Sequence, residues 1–239
     1  MPLPITALHP LPAGTFLDLV RDGAMSPTFS HMGEDIVIYH LFLHYVKKIY
    51  GGFYVDVGAH HPRHYSTTKI LTFLGWSGIN IDASEESIAN FRQERPNDIN
   101  VCCGVAETEG ELTYYKFSGG SANTLSAEIA EKWQKENGWQ LLGTSVVPVK
   151  TINKILDEYM PEGKTIDYMN IDVEGMDRIV IESLDFDKYR PSVITIEMHD
   201  ANKVRLEEDR TIAFLMRKNY ALVSIALSTY ILMDCQFPV

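Results

Sequence analysis

The run Phe53-Tyr54-Val55-Asp56-Val57-Gly58-Ala59 decides the fold. Four β-favouring residues and one acid, Asp56, make it read as an apolar strand that ends in an acid and then a single glycine. The glycine that follows lets the backbone turn sharply and admits close approach of a ligand at the carboxyl end of the strand. Outward from it, further β-rich runs recur at GINID (78–82), INVCC (99–103), DYMNID (167–172) and SVITIEM (192–198), with helical stretches near 66–74, 84–94, 151–159 and 175–184. That alternation predicts a mostly parallel sheet with right-handed crossovers and helices on both faces, an α/β doubly wound architecture.

The flanks complete the layout. Residues 1–30, rich in Pro and Gly, are expected to form an extended arm, and residues 31–239 one Rossmann-like domain. The stretch SHMGEDIVIYHLFLHYVKKIYGG (30–52) predicts a helix with Ser30 as cap, Glu34 and Asp35 in its first turn and Gly51 as its stop. Within 106–150, ELTYYKF (111–117) is an alternating strand followed by a helix at 125–137, an insertion expected near the ligand cleft. After a helix near 207–218, YALVSIA (220–226) and TYILMDC (229–235) are too close for a crossover and predict an antiparallel pair at a sheet edge.

Composition narrows the function. With 45% hydrophobic and 22% charged residues the 239-residue chain is globular, and a net charge of -11 repels phosphate backbones, which excludes nucleic acid as a partner. The segment MPLPITALHPLPAG (1–14) has no basic residue ahead of its apolar positions, and no run is long and apolar enough to span a bilayer. The cysteines Cys102, Cys103 and Cys235 are odd in number and suit neither a disulfide framework nor zinc, so they read as reduced packing residues in a cytoplasmic protein.

Acids stand at the carboxyl ends of three runs. Asp56 precedes the turn at Gly58, Asp82 closes the second run where a carboxylate can accept both hydroxyls of a cofactor ribose, and Asp172 and Glu174 follow the fourth. Each has a plainer alternative, a turn or helix cap for Asp56 and Asp82 and a structural hydrogen bond for Glu174. Glu197 and His199 close the next run and could orient a hydroxyl or take its proton. Gly58 is followed by Ala59, His60, His61, Pro62 and Arg63, so the glycine fingerprint that cradles a dinucleotide pyrophosphate is missing. His40 and His44 share a helix face without a third ligand, which favours packing over metal.

The strings DVGAHHPRHYSTTKILTFLGWSGINIDAS (56–84) and DYMNIDVEGMDRIVIESLDFDKYRPSVITIE (167–197), with SHMGED upstream, resemble the FkbM family of S-adenosylmethionine-dependent methyltransferases. The resemblance implies a seven-stranded, mostly parallel class I methyltransferase sheet with an antiparallel C-terminal hairpin. It implies S-adenosyl-L-methionine as cofactor, with Asp56 and Gly58 along its methionine part, Ser66 at its carboxylate, Asp82 at the ribose hydroxyls and Cys103, Gly104 and Val105 by the adenine. Ala59, His60, Ala83 and Ser84 belong to the same implied site, Glu34 would close over it, and Asp172 would lie by the sulfonium. Where many relatives carry a second glycine in the first loop this chain has Pro62.

The function so implied is O-methylation of a small-molecule hydroxyl on a sugar, nucleotide sugar or glycolipid, with His199, Glu174 and Asp172 as catalytic candidates and Glu197 behind them. No metal is assigned, although Asp172, Glu197 and His199 offer ligand atoms. A nicotinamide-dependent oxidoreductase and a non-catalytic cofactor-binding protein are the rivals, and an oligomer of like chains is left open.

Overall fold

A computed structural model describes residues 26–118, 120–198 and 206–237. Most of the chain folds around a seven-stranded sheet. Its strands are β1 (Phe53–Val57), β2 (Ser77–Asp82), β3 (Ile99–Cys102), β7 (Tyr168–Ile171), β8 (Val193–Glu197), β9 (Tyr220–Ala226) and β10 (Thr229–Asp234), in the order β3-β2-β1-β7-β8-β10-β9. The first five pair in parallel, while β10 runs antiparallel to both β8 and β9, as the closing hairpin predicts. The chain leaves β1 toward β2 on one side and returns through β7 and β8 on the other. The strand order therefore reverses between β1 and β7, the place where open α/β sheets hold their ligands.

Both faces of the sheet are covered, which is why its strands read as continuous apolar runs. On one face Val55, Val57, Ile81, Met169 and Ile194 pack with Ile152, Ile155 and Leu156 of α5 (Ile152–Tyr159), Val180 and Ile181 of α6 (Asp177–Ser183), and Ile212 and Leu215 of α7 (Arg210–Arg217). On the other, Tyr54, Tyr168 and Val193 meet Leu71 of α2 (Lys69–Thr72), Trp76, and Ile38, Leu41 and Phe42 from α1 (Glu34–Leu41) and its extension. The remaining sheet helix, α3 (Glu85–Glu94), is capped by Ser84, whose hydroxyl accepts from the Ser87 amide at 3.3 Å.

Four expectations need correction. The N-cap of the first helix is Gly33 in the left-handed region (φ 84) and not Ser30, whose hydroxyl still accepts the first-turn Asp35 amide at 3.3 Å while donating to the Asp35 carboxylate. It stops before Gly51, because the backbone loosens into a π turn at Phe42–Val46 that ends on Lys47 (φ 57). The helix expected at 66–74 is one turn, since Ser66 and Thr68 use their hydroxyls on buried polar groups before it starts. Near 207–218 a 3₁₀ turn (Leu206–Glu208) precedes α7, which starts where Asp209 accepts the amides of Thr211 and Ile212.

Within the segment 106–150 the expected strand is β5 (Gly110–Phe117), and the helix is α4 (Ala127–Lys132) running into a π turn at Trp133–Asn137. A further strand, β6 (Leu141–Lys150), was not foreseen. It pairs antiparallel with β5 from Gly110↔Val149 to Phe117↔Leu141 and in parallel with β4 (Gly104–Val105), making a second, three-stranded sheet.

Candidate active site

The carboxyl ends of β1, β7 and β8 open onto a cavity of about 760 Å³, and that of β2 onto a smaller pocket beside it. Glu34, Asp56, Gly58, Ala59, His60, Ser66, Asp172, Glu174 and Glu197 line the cavity, and the smaller pocket is lined by Asp82, Ala83, Cys103, Gly104 and Val105, with Gly58, His60, Asp172 and Glu174 common to both. The predicted residues are thus gathered in one place with two exceptions. Ser84 lines neither pocket and acts through its backbone amide, which donates to Asp82 at 2.7 Å. His199 lies outside the described residues.

Asp56 is buried at the end of β1. Its carboxylate accepts from Thr68 Oγ1 and Asn170 Nδ2, each at 2.9 Å, and Asn170 Oδ1 in turn accepts from Thr195 at 2.7 Å. Burial pushes the Asp56 pKa up, and the Asn170 bond, the nearby Arg95 charge and the Thr68 bond pull it back. Gly58 makes the turn at φ 82, and a Cβ there would stand 1.7 Å from the Asp172 carbonyl oxygen. The first loop and the loop after β7 are in backbone contact, so no side chain fits between them.

Asp82 shows how both readings of a strand-end acid can hold at once. Its Oδ2 accepts the His60 amide at 2.8 Å and its Oδ1 the Ser84 amide, which joins the loops after β1 and β2. Each oxygen retains a second lone pair. Burial raises its pKa to about 6 despite those two amide bonds.

Asp172, Glu174 and Glu197 each bring a carboxylate oxygen to within 4.8 Å of the others. Asp172 stays accessible from the cavity while protein encloses it elsewhere. That enclosure and the charges of Glu197, Glu174 and Asp177 hold its pKa well above the usual carboxylate range, and a hydrogen bond with Glu197 adds to the shift. The loop after β7 that presents Asp172 and Glu174 is fixed from below by Asp177, which accepts the amides of Val173 (2.9 Å) and Gly175 (3.0 Å), and from above by Thr124, whose hydroxyl donates to the Glu174 carbonyl at 2.7 Å. Four non-glycine residues of the cavity wall, His60 (φ 54), Tyr65 (φ 58), Glu174 (φ 51) and Leu227 (φ 52), hold left-handed backbones, a strain that concentrates at working sites.

Several lining groups escaped the sequence reading. Asn170 carries a visible signal, a polar residue inside an otherwise apolar strand. The aromatic wall does not: Trp133 and Trp139 come from the 106–150 segment, and Tyr65 sits edge-on to His31 at 4.9 Å and stacked with His60 at 6.4 Å. His31 and Met32 reach the cavity because Asp35 gathers the preceding chain, accepting from the Phe29 amide at 2.7 Å and from the Ser30 hydroxyl at 2.8 Å. Buried Glu34 is held by the Met32 amide at 2.8 Å and the Thr229 hydroxyl at 3.3 Å.

A family model described as "Methyltransferase FkbM domain" matches residues 56–222, more than half of the chain. No curated protein matches. Among solved structures, a methyltransferase FkbM from Methylobacillus flagellatus KT is 12% identical with a TM-score of 0.46, over 77% of this chain and 44% of that one. This chain therefore spans less than half the length of that relative. An O-methyltransferase from Bacillus cereus in complex with SAH is 13% identical (TM-score 0.42; 95% of this chain, 92% of that one). A 1,6-didemethyltoxoflavin-N1-methyltransferase from Burkholderia thailandensis is 14% identical (TM-score 0.39; 95% and 91%).

Proposed function

The chain belongs to the FkbM family of S-adenosylmethionine-dependent methyltransferases, and from that premise we propose that it methylates a hydroxyl oxygen of a small molecule, a sugar or glycoconjugate. The observation that carries the cofactor assignment is Asp82, a buried carboxylate at the end of β2 whose orientation two backbone amides fix while one lone pair on each oxygen remains. That is the acceptor set a ribose diol needs. Ser66 and Asp56 fit the methionine end of the cofactor, and Cys103, Gly104 and Val105 the adenine.

When bound, the cofactor supplies a methyl group on a cationic sulfonium. Asp172, Glu174 and Glu197 suit that charge, because acids that raise one another's proton affinity are relieved equally by a cation. The same cluster is the candidate acceptor for the proton of the attacking hydroxyl, with His199 the further candidate from the sequence. The enzyme's main contribution is to hold donor and acceptor in register, an effect of about 7–11 kcal/mol for well-oriented reactants. Trp133, Trp139 and Tyr65 offer flat apolar faces for a sugar ring, and the acids Glu34, Glu174 and Glu197 outnumber the one lysine of the wall, Lys132, and disfavour phosphates, so neutral glycosides are favoured over nucleotide sugars. Incubation with methyl-labelled cofactor and a panel of both acceptor kinds tests this. Labelled methyl ethers on glycosides are expected, whereas label on nitrogen or carbon acceptors alone would refute O-methylation.

Cofactor affinity should also depend on pH. A ribose diol donates to the ionised Asp82 but loses an acceptor when that group is protonated, so affinity is full above its pKa of about 6 and lost as pH falls through it. S-adenosylhomocysteine binding measured by calorimetry should weaken about tenfold between pH 7.5 and pH 5. An equal pH dependence in Asp82→Ala would assign the effect to another group.

A further inference from the structure

We propose that Arg95 is the electrostatic anchor for the cofactor's methionine carboxylate, acting through the hydroxyl of Ser66; this rests on the cofactor reading above. Nothing in the sequence singles Arg95 out. It ends α3 in QERPN, where the following Pro96 disfavours a helical backbone, and at φ -129 it leaves the helix with its side chain turned inward, 5% exposed. Its guanidinium donates from Nη1 to Thr68 Oγ1 (2.8 Å) and Tyr54 Oη (3.2 Å), and from Nη2 to Ser66 Oγ (2.9 Å) and the Pro62 carbonyl. No carboxylate among the described residues forms an ion pair with it.

Hydrogen-bond polarity turns this packing into function. A guanidinium has donors only, so Ser66 and Thr68 must both present lone pairs to it. Thr68 commits its proton to Asp56 at 2.9 Å, so in the 3.2 Å contact between the two hydroxyls Ser66 is the donor. Of the two hydroxyl protons, the one on Ser66 has the longer contact, to a neutral hydroxyl, and it can leave that contact for an anion in the cavity that Ser66 lines. Behind it stands a buried positive charge that no carboxylate touches directly: Asp56 and Asp98 each stand one hydroxyl away on the Nη1 side, through Thr68 and Tyr54, and Ser66 on the Nη2 side is the hydroxyl through which a further anion, from the cavity, can be placed at the same remove. The same guanidinium grips the loop at the Pro62 carbonyl and so holds the loop's path there.

A carboxylate anchor can be separated from a framework residue with two ligands: S-adenosylhomocysteine, which carries the amino-acid tail, and 5′-methylthioadenosine, which lacks it. Calorimetry on wild type, Arg95→Gln, Arg95→Lys and Ser66→Ala is the experiment. Arg95→Gln and Ser66→Ala should each weaken S-adenosylhomocysteine about tenfold or more while leaving 5′-methylthioadenosine within about twofold, and Arg95→Lys should fall between. In the double variant Arg95→Gln/Ser66→Ala the losses should be less than additive, because the two act in series. Equal losses for both ligands, or failure of both Arg95 variants to fold, would make Arg95 a framework residue and overturn the proposal. Failure of wild type to bind S-adenosylhomocysteine would instead overturn the cofactor reading.

Discussion

Asp172→Asn is expected to lower methyl transfer by about 10²–10⁴-fold while changing S-adenosylhomocysteine affinity by less than about threefold. The substitution is isosteric, and the amide can still hydrogen-bond Glu197, so the loop held by Asp177 and Thr124 keeps its place. What is lost is a carboxyl group between Glu174 and Glu197 whose ionised form a bound cation favours. That ionised form distinguishes a sulfonium from a neutral thioether, so S-adenosylmethionine should bind several-fold less tightly to the variant although S-adenosylhomocysteine does not. Single-turnover assays and paired titrations measure both. Undiminished turnover at saturating acceptor would remove Asp172 from the chemistry, and equal weakening of the two ligands would place its effect in loop geometry.

The second large effect is expected at Gly58. In Gly58→Ala the new methyl group would collide with the Asp172 carbonyl oxygen, 1.7 Å away, and the residue would keep a left-handed backbone at φ 82. The clash is with backbone in a neighbouring strand end, which no rotamer change relieves. About 2–5 kcal/mol of stability should be lost, visible as a fall of roughly 5–15 °C in Tm, with cofactor affinity lost as the loops after β1 and β7 separate. A variant with wild-type Tm and affinity would mean that these loops do not approach as closely as described.

How far the sequence reveals this molecule varies by element. The central sheet strands are legible because they are covered on both faces, which gives the mostly apolar runs FYVDV and VITIE. β6 is not, because only Val149 of its residues is buried while apolar Leu142 and Val146 face solvent, and Gly143 and Pro148 read as breakers. Proline is tolerated there at an exposed ribbon position. The strand-end acids Asp56, Asp82 and Asp172 can be found from position alone, since a parallel sheet delivers every carboxyl end to one edge. Arg95 cannot, because its role depends on a helix end turning inward 27 to 41 residues away from its partners, a tertiary fact without a local signature. Trp133 and Trp139 are hidden for the same reason, in a segment whose path over the cavity follows from Ile129 packing on Gly175 and Thr124 reaching the Glu174 carbonyl.

The central claim is that this cavity binds S-adenosylmethionine with Asp82 on its ribose, and thermal unfolding tests it most directly, with S-adenosylhomocysteine, with NAD and with neither, on wild type and Asp82→Ala. At about a hundred times its dissociation constant, S-adenosylhomocysteine should add roughly 2.7 kcal/mol and raise Tm by on the order of 5–10 °C, with a smaller rise in Asp82→Ala and none with NAD. No shift with S-adenosylhomocysteine, or a shift with NAD alone, would contradict it.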